Sequence, residues 1–186
     1  MGHDASGTTL RDLEREAKSE YLPIIGPAQG DELERLVRER DPRLAVEVGV
    51  MTGYATIRIA RNLSEGGRLV GIEISEEMAR RAEKNVERAG LAAKCDIRRG
   101  DAHDELGKLE GEVDLAFLDA EKGQYLNYLH KLEPRLAPGA IVIAAGASAS
   151  SERLQKYFDH VRLSGRYEST HFDVEDDGME VSRFKG

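Results

Sequence analysis

A single cysteine, no internal repeat and no apolar run near the ~20 residues of a membrane span are the first scarcities of this 186-residue chain. Cys95 alone excludes an internal disulfide, so a packed core must hold the fold, and the thiol reads as a small core residue inside a strand. With neither a span nor the apolar centre of a signal peptide, a cytoplasmic location without a membrane partner is expected. Basic charge is short as well. The 27 Lys and Arg residues stand against 35 Asp and Glu, a net charge of −8, which disfavours a nucleic-acid partner. Hydrophobic residues make up 40% of the chain, enough at this length for one core, so residues 1–186 are expected to form one domain.

What the chain does have is the run Val46-Glu47-Val48-Gly49-Val50-Met51-Thr52-Gly53-Tyr54, where a strand pattern gives way to a helical one. Glycine at such a turn lets a ligand approach the backbone, and the helix N-terminus offers unpaired N–H groups and partial positive charge. The dinucleotide fingerprint G-x-G-x-x-G is missing its second glycine, because Met51 stands there. A nucleotide-like ligand without a pyrophosphate fits better, and an NAD-type oxidoreductase is disfavoured. Gly71-Ile72-Glu73-Ile74 follows about 20 residues later, where an acidic side chain is placed to accept ribose hydroxyls.

Helix and strand patterns alternate along the chain. Residues 1–9 read as a frayed, disordered terminus, 10–19 as a charged helix, 21–30 as a Pro/Gly-punctuated loop, and 31–40 as a helix with Asp31 as N-cap. Strands are expected at 43–49, 68–74, 94–99, 113–118 and 140–145, with helices at 54–63, from Ser75 to Gly90, near 104–109, and at 124–136 and 151–160. The nearly continuous apolar run 113–118 suits a strand buried on both faces. Two extended segments, 166–172 and 179–184, flank the turn signal Asp177-Gly178. The expected fold class is α/β, a Rossmann-like open, mostly parallel sheet with helices on both faces and a C-terminal antiparallel hairpin.

In such a sheet ligands gather outside the carboxyl ends of the strands, and four of those ends carry an acid: Glu47, Glu73, Asp101 and Asp119. Their convergence suits a cationic ligand that also has a ribose and an exocyclic amine. S-adenosylmethionine has all three. His103, His130, His160 and His171 are too scattered in sequence to argue for a metal site.

From Ile24 to Gly186 the chain resembles the class I methyltransferases, and within them the small catechol O-methyltransferase-like family. The resemblance rests on VEVGVMTGYATIRIARNL, LVGIEIS, RRGDAH, VDLAFLDAEKGQYL, LAPGAIVIA and DGMEVSRFKG, with IIGPAQG matching the loop that covers the cofactor's methionine end. It implies S-adenosylmethionine as cofactor and a small-molecule acceptor, while a homo-oligomer is left open by the sequence. By it Glu47 contacts the methionine portion, Glu73 the ribose, Ala102 and His103 the adenine edge, and Ile25 and Tyr54 the amino-acid tail. Gly49, Gly53, Ile74, Asp101 and Asp119 complete the expected cofactor site, residues 10–40 supply the covering helices and loop, and Lys122 falls on the general base.

The resemblance also implies a Mg²⁺-type ion held by three protein oxygens, of which Asp119 matches one. The other two positions are Ala145 and Gly146, whose side chains carry no oxygen. Hard divalent ions take about six oxygen ligands, so no tightly bound metal is expected and Mg²⁺ is doubtful. The expected activity is therefore an O-methyltransferase acting on a small molecule without the metal. The alternative is a non-catalytic S-adenosylmethionine-binding protein that has lost its metal centre.

Overall fold

The computed structural model describes residues 4–148, 151–173 and 178–186. Its strands are β1 (Leu44–Val48), β2 (Arg68–Glu73), β3 (Cys95–Arg99), β4 (Val113–Leu118), β5 (Leu136–Ala145), β6 (Tyr167–Phe172) and β7 (Met179–Phe184). They form one 7-stranded sheet in the order β3-β2-β1-β4-β5-β7-β6. Strands β1 to β5 run parallel, β7 is antiparallel to β5, and β6 is antiparallel to β7. The strand order reverses between β1 and β4, so a crevice opens at the carboxyl ends of these two strands.

Alternate side chains of the central strands divide the core into two layers. Val46, Val48, Val70, Ile72, Ala116, Leu118 and Val142 face one layer, completed by α6 (Tyr125–Leu132) and α7 (Gln155–Leu163). Ala45, Leu69, Leu115, Phe117, Ile141 and Ile143 face the other, covered by α1 (Ala5–Glu20), α2 (Pro27–Arg40) and α3 (Tyr54–Ala60). Both faces are buried, which is why β4 reads as an apolar run broken only by Asp114, whose carboxylate pairs with Arg40. Helices α4 (Glu76–Arg88) and α5 (Ala102–Glu105) complete the set, and none of the described helices is long and apolar enough to cross a membrane.

Several boundaries differ from the sequence reading, each for a local reason. Residues 5–9, expected to be disordered, belong to α1, because the Asp4 side chain caps it through the Gly7 N–H and Thr9 and Leu10 are buried. The turn reading of 21–30 is cut short at Pro27, which occupies the first position of α2 behind Gly26; Asp31 lies inside that helix and is not its cap. Strand β5 begins at Leu136 despite Pro138 and Gly139, with its register against β4 shifting in this stretch. The helix expected at 104–109 begins earlier, at Ala102, capped by Asp101, and tightens into a 3₁₀ turn at Leu106–Lys108. Cys95 sits half-buried on the sheet's edge strand, its thiol pushed up to about 12 mainly by burial. The hairpin signal at 177 lies outside the described residues, whereas Gly178 has φ 68°.

Candidate functional site

The crevice is built by the turn after β1. Within five residues the backbone enters the left-handed region three times, at Gly49 (φ 90°), Met51 (φ 49°) and Gly53 (φ 89°). A Cβ at Gly49 would lie 2.1 Å from the Asp119 carbonyl oxygen, so glycine alone allows the ends of β1 and β4 to meet this closely. Met51 holds a left-handed conformation that a side chain resists. It is kept there by Glu73, whose Oε2 accepts from the backbone N–H groups of Val50 (3.1 Å) and Met51 (2.8 Å). Glu73 Oε1 accepts from the Ser75 N–H at 2.8 Å. The carboxylate expected to meet a ribose is thus also the peg of the glycine-rich turn.

Three compartments open around this turn and share Met51 and Asp119 as walls. The first, about 600 Å³, runs along the ends of β2, β3 and β4 between Glu73, Ile74, Asp101, Ala102, His103 and Asp119. Ile74 is 75% exposed, an apolar surface left facing the cleft, and across from it Tyr128 stacks obliquely on His103 at 5.2 Å. His103 is held by its Nε2 contact to Gln124 at 3.1 Å, and its N–H caps onto Asp101 at 2.8 Å. The second compartment is small, about 20 Å³, and lies between Ile25, Glu47, Gly49, Tyr54 and Asp119. The third, about 570 Å³, has Pro23, Ile24, Ile25 and Met51 as apolar walls and Gln29, Asp119, Lys122 and Gly146 as polar or backbone walls.

Glu47 is the electrostatic centre. It is fully buried, and its Oε2 accepts from the Thr56 hydroxyl at 2.7 Å while Oε1 has no partner. Burial, reinforced by the nearby Asp119 and Glu73 carboxylates, pushes its pKa well above the usual carboxylate range. An unpartnered acidic oxygen in a small cavity among like charges is a receptor for a cationic donor such as an ammonium group.

Most of the expected residues converge. Ile25, Glu47, Gly49, Tyr54, Glu73, Ile74, Asp101, Ala102, His103 and Asp119 all line the first two compartments, and Lys122 lines the third. Gly53 does not line them; it is the left-handed N-cap of α3, where a Cβ would press on Ala82 of α4 at 3.2 Å. The Tyr54 ring lines the small compartment, but its hydroxyl is committed elsewhere, donating to Glu14 at 2.6 Å and accepting from Arg58 at 2.7 Å. Burial, with the Glu14 carboxylate, raises this phenol's pKa. Leu22, Met51, Met78, Gln124 and Tyr128 are additional walls that the sequence reading left out. Of these, Met51 was visible only as a missing glycine. Away from the crevice, His130 and His160 pack edge to face at 5.0 Å beside Glu133, so these two histidines are not scattered in space. Glu133 is already bonded to His160, Tyr167 and Arg166.

At the end of β5, neither of the two positions expected to hold a hard divalent ion offers a side-chain oxygen. Ala145 is buried, its carbonyl oxygen accepts from the Tyr125 hydroxyl at 3.1 Å, and Gly146 has no side chain. Lys122 reaches over this backbone, its Nζ 2.8 Å from where a Cβ on Gly146 would stand.

An open sheet whose order reverses above an acidic, three-part crevice defines a doubly wound α/β protein with its ligand crevice at the strand carboxyl ends. Residues 3–147 match the family model described as O-methyltransferase, and the chain belongs to that family. It is 36% identical over 124 residues to a catechol O-methyltransferase of Niastella koreensis, covering 64% of this chain and 56% of the relative. A catechol O-methyltransferase of Bos taurus is 29% identical over 182 residues, covering 91% of this chain and 66% of its own length. The chain therefore spans less than two thirds of these relatives. Among solved structures, an O-methyltransferase from Bacillus cereus in complex with SAH superposes with a TM-score of 0.86 at 28% identity, covering 96% of this chain and 91% of that one.

Proposed function

We propose that the chain binds S-adenosylmethionine across the first two compartments and methylates a hydroxyl of a small molecule held in the third. The carrying observation is the meeting of all three compartments at Met51 and Asp119, which leaves one place where a methyl donor and an acceptor would face each other. When bound, S-adenosylmethionine supplies a methyl group already activated by positive sulfur. Methyl transfer is an in-line displacement, so what this chain contributes is alignment, water exclusion and control of the acceptor's proton. Glu47 Oε1 is placed to hold the ammonium of the amino-acid tail, Ile74 and Tyr128 to enclose the adenine, and Glu73 to accept from the ribose with the lone-pair capacity its backbone partners leave. Lys122 is the catalytic candidate on the acceptor side.

The SAH bound in the Bacillus cereus relative supports this assignment of cofactor. Metal independence is part of the proposal, because among the described residues lining the third compartment Asp119 is the one acid, and Ala145 and Gly146 supply no side-chain oxygen. The same two residues favour one second reading, a protein that binds the cofactor and does not turn it over. Calorimetry with S-adenosylmethionine, in Mg²⁺ and in EDTA, tests the first claim: micromolar binding indifferent to the metal is expected, and no binding at millimolar cofactor overturns the assignment. Formation of S-adenosylhomocysteine with phenolic acceptors then separates enzyme from binder.

A further inference from the structure

We infer that Lys122 is an electrostatic anchor for an ionised acceptor oxygen, standing in the volume that a side chain at position 146 would take, and that the acceptor is a flat phenol with one acidic hydroxyl. The inference rests on the methyltransferase reading and adds to it a substrate class and a role for this lysine. Its basis is steric. Gly146 is left-handed (φ 57°), and a Cβ there would come within 2.8 Å of Lys122 Nζ and 2.9 Å of Cε, so a side chain at 146 would push the flexible end of the lysine out of its present place. Without that side chain, the half-buried lysine lies over the backbone and lines the third compartment together with Gly146 and Asp119.

The chemistry of a lysine at this point selects the acceptor. An ammonium is a compact charge with three donors and no acceptor, so it stabilises one anionic oxygen and does not need the two vicinal oxygens that a chelating ion grips. Pro23, Ile24, Ile25 and Met51 form apolar walls suited to an aromatic ring. In the reaction the acceptor hydroxyl loses its proton to solvent as it pairs with Lys122. Its oxygen then forms the new O–CH₃ bond while the S–CH₃ bond breaks, the bonding pair stays on sulfur, and the ammonium keeps its own proton.

The test is spectroscopic and needs no turnover. Wild-type protein saturated with S-adenosylhomocysteine in EDTA is titrated with 4-nitrophenol at a pH where the free phenol is mainly neutral. Expected is the visible phenolate band, unchanged by Mg²⁺. Lys122→Met should abolish the band and weaken binding by about ten- to a hundredfold, as for loss of a charged hydrogen bond, whereas Lys122→Arg should keep part of it. Gly146→Asn, tolerable at positive φ, should also suppress the band by displacing Nζ, with the fold checked by circular dichroism. A band that survives Lys122→Met, one that requires Mg²⁺, or none in the wild type overturns the inference. Calorimetry of S-adenosylhomocysteine in the same samples reports the cofactor pocket separately, so failure of the anchor is not mistaken for failure of the methyltransferase reading.

Discussion

At the scale of single residues, the site depends on two positions whose chemistry is unusual for where they stand. Glu47 is buried with one oxygen unpartnered, and its raised pKa means that folding favours the neutral acid. A cationic group arriving beside it favours the carboxylate, so cofactor binding should release a proton and tighten as pH rises toward that raised pKa. Calorimetry in buffers of different ionisation enthalpy would count the proton, and Glu47→Gln should flatten the pH dependence while weakening binding about tenfold or more. Equal slopes in the two proteins would refute the role. Gly49 is the second position, with φ 90° and the Asp119 carbonyl oxygen 2.1 Å from a Cβ site. Gly49→Ala must therefore push β1 and β4 apart, at a cost of about 3 kcal/mol or more, visible as a lower urea midpoint together with lost cofactor binding. The place of both residues at the crevice was legible in the sequence, because the acid and the glycine stand in register with a second acid about 20 residues on. The left-handed Met51 was not, since nothing local reveals that Glu73, 22 residues away, holds its N–H.

At the scale of elements, the strands were legible and the covering helices much less so. A strand buried on both faces announces itself by a nearly continuous apolar run, as in β4, and its carboxyl end is then known. The N-terminal helices are amphipathic and charged, and what fixes them is long-range. Arg58 of α3 is 5% exposed and reaches Asp31 at 2.6 Å and Glu34 at 3.0 Å on α2, while donating to Tyr54, which in turn binds Glu14 of α1. Asp31, read as a cap, is thus part of an ion-pair cluster. Gly30 permits it, for a Cβ there would meet Arg58 Nε at 2.6 Å. The cluster joins α1 and α2 to the helix that follows the glycine-rich turn, and the loop between them supplies Leu22, Pro23, Ile24 and Ile25 to the crevice. Arg58→Ala leaves the buried Glu34 with Arg61 and Arg38 as its partners among the described residues and removes the bonds to Asp31 and Tyr54, with an expected loss of about 2 kcal/mol. Hydrogen exchange should show α1 and α2 opening ahead of the sheet, and protection as uniform as in the wild type would rule out their anchoring through this arginine.

At the scale of the whole molecule, acid pulls stability in opposite directions at the centre of the sheet and on its hairpin side. On the hairpin side Glu180 is fully buried, and although burial alone raises its pKa, the Arg162 guanidinium, the Ser169 hydroxyl and His171 hold it below the usual range. Arg162 binds it at 2.8 and 2.6 Å. Glu133, likewise raised by burial, is carried below the usual range by His160, Tyr167 and Arg166. Both folded-state values lie below the ordinary 4.5, so their contribution is complete above that value and is lost as pH falls through the lowered pKa. Glu47 has the opposite sign: its contribution is complete below 4.5 and is lost as pH rises through its raised value. Replacing Glu180 with Gln removes one side of this balance. Urea unfolding followed from acid to neutral pH should show the variant about 3 kcal/mol less stable at neutral pH, with the gap closing as pH falls below the carboxylate range. Saturating cofactor should leave that gap unchanged, because Glu180 pairs with the C-terminal hairpin and α7 and does not line the crevice. A gap that stayed constant into acid would mean that Glu180 stabilises the hairpin by packing and not by its charge.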